Sequence, residues 1–250
     1  MATTVAHRPA SPAAVGVYDR VFYSGMAISM ALTVFVGFGP TYYLRLFSAE
    51  GPAATVSGFP ITPLVHVHGV AFSAWVVLFI VQTALIAGRR VKFHQRLGIA
   101  GAVLAAVMIA IGTGTAIAGA RAGSAPPGVD PLAFLIIPLG DMALFAIFVA
   151  AAIEQRRNKE AHKRLMLLAY IAILTAAVAR WPGVMPLGPL GFYGLAFLFL
   201  FAGIGYDLIS RKRVHRAYKW GGALLVLSVP ARLAFSETGL WLAVAEYLVR

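Results

Sequence analysis

Long apolar stretches separated by short basic connections constrain this 250-residue chain more than any other feature. A bilayer core about 30 Å thick takes about 20 apolar residues of helix to cross. Hydrophobic residues make up 60% of the chain and charged residues only 12%, unlike a soluble domain. The sequence therefore predicts an all-α, polytopic membrane protein. Its seven predicted transmembrane helices are 20–43, 63–87, 95–119, 131–153, 164–181, 189–208 and 217–235.

The placement of the basic residues explains the net charge of +12. Most of the 21 lysines and arginines fall in the N-terminal tail and in the connections after the second, fourth and sixth apolar stretches. Short connections with this bias face the cytoplasm, so the N-terminus is predicted inside and the C-terminus outside. The lipid bilayer is the expected partner, and no nucleic acid is needed to explain the charge.

Three regions are predicted along the chain. Residues 1–19 are polar, rich in Pro and Ala and without the apolar core of a signal peptide, so they are expected to form a flexible cytoplasmic tail. Residues 20–238 form the seven-helix domain, and residues 239–250 are expected to lie in the membrane interface. The absence of cysteine excludes disulfides, thiolate zinc sites, iron–sulfur clusters and cysteine nucleophiles.

Each of the three basic connections carries one histidine at the start of the next helix. The segments around His94, His162 and His215 resemble one another, which divides the chain into one leading helix and three helical hairpins. Three imidazoles at equal depth could form a copper or zinc site, or supply haem ligands. Neighbouring lysines and arginines disfavour a bound cation, however. The alternative is a basic collar that meets anionic lipid headgroups.

Two further histidines, His66 and His68, lie near the start of the second helix. Residues two apart on a helix differ by about 200° in direction, so a regular helix cannot turn both towards one metal. His68 begins a stripe of aromatic and polar side chains, continued by Phe72, Trp75, Phe79 and Gln82. This stripe predicts a haem or quinone pocket with His68 as an axial ligand. The alternative is that these side chains only pack and hydrogen-bond between helices.

Asp141 lies about 15 Å into the fourth helix, close to the bilayer centre. A carboxylate at that depth is costly unless it is paired or faces water. Arg180 and Arg232 are the available cations. Asp141 is therefore predicted either to relay protons or bind a substrate, or to form a structural pair. Besides the arginines, the candidate partners are the hydroxyls of Thr113, Thr115 and Tyr170.

A break is predicted at the end of the first helix, at Gly37-Phe-Gly-Pro40, with two tyrosines and Arg45 beyond it. Arg45 could bind an anionic headgroup or a haem propionate, because guanidinium groups bind carboxylates through two hydrogen bonds. The alternative is structural: a helix kink next to an aromatic belt at the membrane interface.

Several motifs carry a resemblance to known families. They are Phe38-Gly-Pro-Thr-Tyr-Tyr-Leu-Arg45, His66-Val-His-Gly69, His94-Gln-Arg-Leu-Gly98, Pro138-Leu-Gly-Asp141 and Ala161-His-Lys-Arg-Leu-Met166. Together they resemble a widespread group of uncharacterised bacterial multi-pass membrane proteins. More distantly, the pattern is similar to small membrane proteins implicated in assembling haem–copper oxidases. That resemblance implies a histidine-ligated haem or copper.

The leading hypothesis is a bacterial inner-membrane protein that binds haem b or copper and serves respiratory electron transfer or oxidase assembly. Ligands are expected on both sides of the membrane. The candidate cofactor-binding residues are His66, His68, Trp75, Gln82, Arg45, His94 and His162. Two alternatives stay open: a carrier built around Asp141 with Arg180 or Arg232 as its counter-charge, and a non-catalytic accessory subunit of a membrane complex.

Overall fold

The computed structural model describes residues 12–47 and 61–250, and within these ranges it contains helices and connections but no strand. Two short helical turns, Gly39–Tyr43 and Leu44–Phe47, follow the first long helix. The long helices are α1 (Pro12–Phe38), α2 (Pro63–Ala87), α3 (Val91–Arg121), α4 (Pro131–Glu154), α5 (Lys159–Val178), α6 (Gly188–Arg211), α7 (Arg216–Phe235) and α8 (Gly239–Val249). The predicted all-α class is confirmed.

Six helices, α1 to α6, are long and apolar enough to cross a bilayer. The predicted seventh span, α7, passes that test only together with α8, and the two helices meet at 91°. The physical reason is charge, since α7 contains Arg216, Lys219 and Arg232 within 20 residues. The described residues thus contain six candidate spans, or seven if the bent pair counts as one. Helix α1 begins at Pro12, eight residues before the start expected from hydropathy.

Side-chain caps start several of the helices where the sequence places them. Asp130 accepts hydrogen bonds from the backbone nitrogens of Leu132 and Ala133 at 2.8 and 2.9 Å, which satisfies two donors that the first turn of α4 leaves open. Thr62 and Asn158 cap α2 and α5 in the same way. Polar caps followed by apolar runs therefore fix the helix starts at both membrane surfaces.

Helix α5 is the centre of the bundle, because it packs against α1, α4, α6 and α7. Within an apolar 18-residue stretch of α5, 72% of the residues are buried inside the bundle, compared with 11% in the corresponding stretch of α2. One close approach joins α1 to α5: a Cβ added at Gly37 would collide with the carbonyl oxygen of Ala177. A larger residue at position 37 would push the two helices apart.

The connections after α2, α4 and α6 meet at one end of the bundle, here called the basic end. His94 and His162 contact each other there, and Arg164 contacts Asp207. The other end carries α8, which packs on α3 and α4 through the buried side chains of Trp241 and Ala245. The two ends therefore differ in charge, and each brings together residues distant in sequence.

Candidate functional site

Two of the three predicted histidines at the basic end lie side by side. The ring centroids of His94 and His162 are 6.2 Å apart, and the ring planes are nearly perpendicular at 84°. The pair sits where α3 and α5 begin, so each ring projects from the first turn of a membrane helix. Both side chains are half-buried. The fold therefore brings together two imidazoles from different helical hairpins.

A hydrogen bond on Nδ1 fixes each ring of this pair. His162 Nδ1 donates to the carbonyl oxygen of Ala152 at 2.8 Å. On the other ring, the Gln82 amide nitrogen donates to His94 Nδ1 at 2.7 Å, and the Gln82 oxygen accepts from the nitrogen of Gly98 at 3.1 Å. This amide orientation is the one that satisfies both ends of Gln82. In the described structure neither Nε2 has a hydrogen-bond partner.

His215, the third predicted histidine, has a different role. Its Nδ1 accepts from the backbone nitrogen of Ala217 at 3.1 Å and so caps α7, while its own backbone nitrogen donates to Asp207 Oδ2 at 3.0 Å. Burial, together with the nearby Arg164 guanidinium, lowers the pKa of His215. Among the described residues, no group of three or more His, Asp or Glu side chains is arranged to hold a metal ion. The expected three-histidine site is therefore not assembled.

A buried ion-pair network lies next to the histidines. Arg164 binds Asp207 with two hydrogen bonds, of which the Nε–Oδ2 bond is 2.9 Å long, and both side chains are fully buried. Arg164 also contacts Glu160 at 2.9 Å. Asp19 of α1 accepts from Lys163 at 2.5 Å and from Arg211 at 2.7 Å. This network ties α1, α5 and α6 together.

Sequence reasoning missed the acidic half of this network. Arg164, Lys163 and Arg211 were counted only as part of a basic surface, and neither Asp19 nor Asp207 was assigned a partner. A signal existed, because Asp207 is an acidic residue inside an apolar stretch, one turn before a basic connection. An acidic residue in an apolar stretch predicts a basic partner on a neighbouring helix.

Asp141 is buried in the bundle and fully paired. Arg232 Nη1 donates to its Oδ1 at 2.7 Å, Tyr193 donates to the same oxygen at 3.2 Å, and Thr175 donates to Oδ2 at 3.1 Å. Arg232 also donates to the carbonyl oxygen of Ile137 at 2.8 Å. Of the two arginines considered, the structure selects Arg232.

The other expected partners of Asp141 contact different groups. Arg180 donates to the carbonyl oxygen of Ala176 and lies over the ring of Phe38 at 4.7 Å. Thr115 donates to the carbonyl oxygen of Ile111 one turn back in its own helix. The hydroxyl of Tyr170 has no partner in the described structure. The expectation that one of these hydroxyls bonds Asp141 is corrected to Thr175 and Tyr193.

The stripe along α2 faces the interior of the bundle. His68 stacks on Phe72 with 4.1 Å between centroids, and Trp75 meets Phe145 of α4 edge to face at 5.1 Å. His66 points elsewhere, since its Nδ1 lies 3.1 Å from the hydroxyl of Tyr42. The two histidines therefore do not converge, as expected for residues two apart on a helix. The side chain of Arg45 lies outside the described residues.

Comparison with protein-family models, with curated proteins and with solved structures finds no match to this chain. The arrangement of its own side chains is accordingly the basis for a functional conclusion.

Proposed function

We propose that this protein is a membrane-bound haem protein in which His94 and His162 would hold the haem iron, and that it transfers electrons. The contact between these two rings is the observation that carries the proposal. Their ring centroids are 6.2 Å apart, and histidine nitrogens bind metal ions at about 2.0 Å, so one ion between the rings would be within reach of both.

The hydrogen bond on His162 Nδ1 supports the same proposal. Histidines that ligate a metal through Nε2 almost always donate the other ring proton to a carbonyl, carboxylate or water. His162 makes this bond to Ala152. The bond on His94 runs the other way, because its Nδ1 accepts from the Gln82 amide. Ligation through His94 Nε2 would therefore require the ring proton to move to Nδ1 and the Gln82 amide to turn away from Gly98.

The charge around the pair favours haem over a bare copper ion. Arg90, Lys92 and Arg96 precede or follow His94 within four residues. This positive charge repels an added cation, whereas the carboxylates of a haem are attracted to guanidinium and ammonium groups. Bound haem would supply reversible one-electron chemistry at its iron. The protein would hold and orient the haem and set the electrostatic environment around it.

We place the protein in the bacterial inner membrane, with the basic end in the cytoplasm, because short basic connections are retained on that side. The electron-transfer role then belongs to respiration or to the assembly of an oxidase, as the distant resemblance implies. The alternative of a carrier built around Asp141 receives less support, because Arg232, Thr175 and Tyr193 already occupy the carboxylate. Such full pairing is typical of a structural contact.

The optical spectrum of protein purified from its native membrane tests this proposal. We expect Soret and α bands in the reduced-minus-oxidised spectrum, and loss of those bands in His94→Ala and in His162→Ala, because each removes one ligand. His215→Ala is the matched control and should keep the bands, since that ring caps α7. A wild-type spectrum without haem bands, or bands that survive both substitutions, would contradict the proposal.

A further inference from the structure

Three buried polar atoms lack a hydrogen-bond partner along the interior face of α2. They are Nδ1 of His68, Nε1 of Trp75 and the hydroxyl oxygen of Tyr170. Trp75 is only 3% exposed and Tyr170 only 1% exposed, so neither group reaches the bilayer or bulk water directly. Buried polar groups in folded proteins are almost always bonded to protein or to ordered water. Each of these atoms therefore requires a partner that the protein does not supply.

These atoms follow one line through the membrane. His68 and Trp75 lie two helical turns apart on the same side of α2. Tyr170 of α5 comes next, because its ring contacts Phe79 at 4.9 Å, one turn beyond Trp75. Gln82 follows after a further turn and touches His94. From His68 to Gln82 the rise along α2 is about 21 Å, most of the thickness of a bilayer core.

The spacing selects the kind of ligand. His68 and Trp75 are about 10 Å apart along the helix axis, and Tyr170 is about one turn further. Water suits polar atoms spaced in this way, because it donates and accepts at once and each molecule can serve a separate atom. A chain of such molecules also bonds to itself between the fixed protein groups.

We propose that a file of buried water molecules runs along α2 from His68, past Trp75 and Tyr170, to Gln82 beside the His94–His162 pair. The file passes protons by exchange: each water forms one O–H bond as it accepts a proton and breaks another as it releases one, so every water is unchanged afterwards. Its role would be to bring a proton from the His68 end to a carboxylate of the bound haem when the haem takes up an electron, and this role alone rests on the proposed function.

Radiolytic hydroxyl-radical labelling of the full chain in native membranes tests the water file, because radicals formed from bound water oxidise the side chains beside it. We expect Trp75 and Tyr170 to be labelled several-fold more than two equally buried controls. Tyr193 is the matched tyrosine, since it is 3% exposed and its hydroxyl is bonded to Asp141. Phe148, fully buried and in contact with Trp220 of α7, is the second control.

The outcomes separate the two proposals. Labelling of Trp75 and Tyr170 no greater than that of Tyr193 and Phe148 would overturn the water file, whether or not haem is present. Strong labelling in a protein without haem bands would leave the file in place and overturn the electron-transfer role. In a haem-containing protein, Trp75→Phe and Tyr170→Phe should slow proton uptake on reduction several-fold without loss of haem. An unchanged uptake rate would overturn the proton-carrying role.

Discussion

Replacing Arg164 with methionine should lower the free energy of unfolding by about 3 kcal/mol or more, because it leaves the Asp207 carboxylate buried without its main partner. Both side chains are completely buried at the basic end. Arg211 approaches Asp207 at 3.8 Å, and the backbone nitrogen of His215 donates to it at 3.0 Å. These contacts soften the loss, which is why the lower end of the usual range of about 3–5 kcal/mol applies.

Unfolding in mixed micelles of a mild detergent and dodecyl sulfate measures this loss. Lys163→Met is the matched control: Lys163 is the neighbour of Arg164 and is partly exposed, and its ion pairs should contribute about 1 kcal/mol or less. Combining Arg164→Met with Asp207→Leu should recover most of the lost stability, because no unpaired charge then remains. A single variant no less stable than Lys163→Met would contradict the assignment of Arg164 as a buried cross-link.

Asp141→Asn should lose a similar amount, about 3 kcal/mol, since the Arg232 cation then keeps only uncharged acceptors in the interior. Those acceptors include the backbone oxygens of Ile137 and Ser228. The same unfolding assay applies, with Glu154→Gln as the control on the exposed part of α4. Equal stability of the two variants would show that the pair is not a structural cross-link.

The same position distinguishes a structural role of the pair from a role at the cofactor. The combined variant Asp141→Leu with Arg232→Met removes both charges and should be close to the wild type in stability. It should also retain the haem bands, because the pair lies on other helices than His94. Loss of haem from a stably folded double variant would mean that the Asp141 carboxylate acts on the cofactor, against the structural account.

The helices were predictable from the sequence because apolar length is a property of each segment alone. Caps such as Asp130, and proline in the first turn as at Pro131, also act within a few residues. Predicted starts differ from the structure where a helix begins before its long apolar stretch, as in α1 and α3. Hydropathy therefore locates the apolar part of a helix but not the residue at which the helix begins.

Pairings between helices were predictable only in part. The sequence narrowed the counter-charge of Asp141 to Arg180 or Arg232, but the choice depends on how α5 and α7 are rotated about their axes. That rotation also brings Thr175 and Tyr193 to the carboxylate in place of Thr113, Thr115 and Tyr170. A rotation of one residue, about 100°, changes which side chains face a neighbour, and a single sequence does not specify it.

The three basic connections resemble one another, most loosely around His215, and from them the sequence predicted a possible shared metal site for three histidines. The structure gives His94 and His162 one environment and His215 another. The difference is local. His94 and His162 lie inside the first turns of α3 and α5, whereas His215 is the residue before α7. The His215 side chain therefore accepts a hydrogen bond from a backbone nitrogen in the first turn of α7. A shift of a few residues relative to a helix start thus converts a candidate ligand into a cap.

The midpoint potential of the haem in His94→Met, compared with that of the unmodified protein, tests the central claim most directly. Exchanging one axial imidazole for a thioether raises the potential of a haem iron, and a change of packing alone does not mimic that rise when haem content is unchanged. We predict full or partial haem retention with a higher potential in His94→Met. Full haem content with an unchanged potential would show that His94 is not a ligand and would contradict the account.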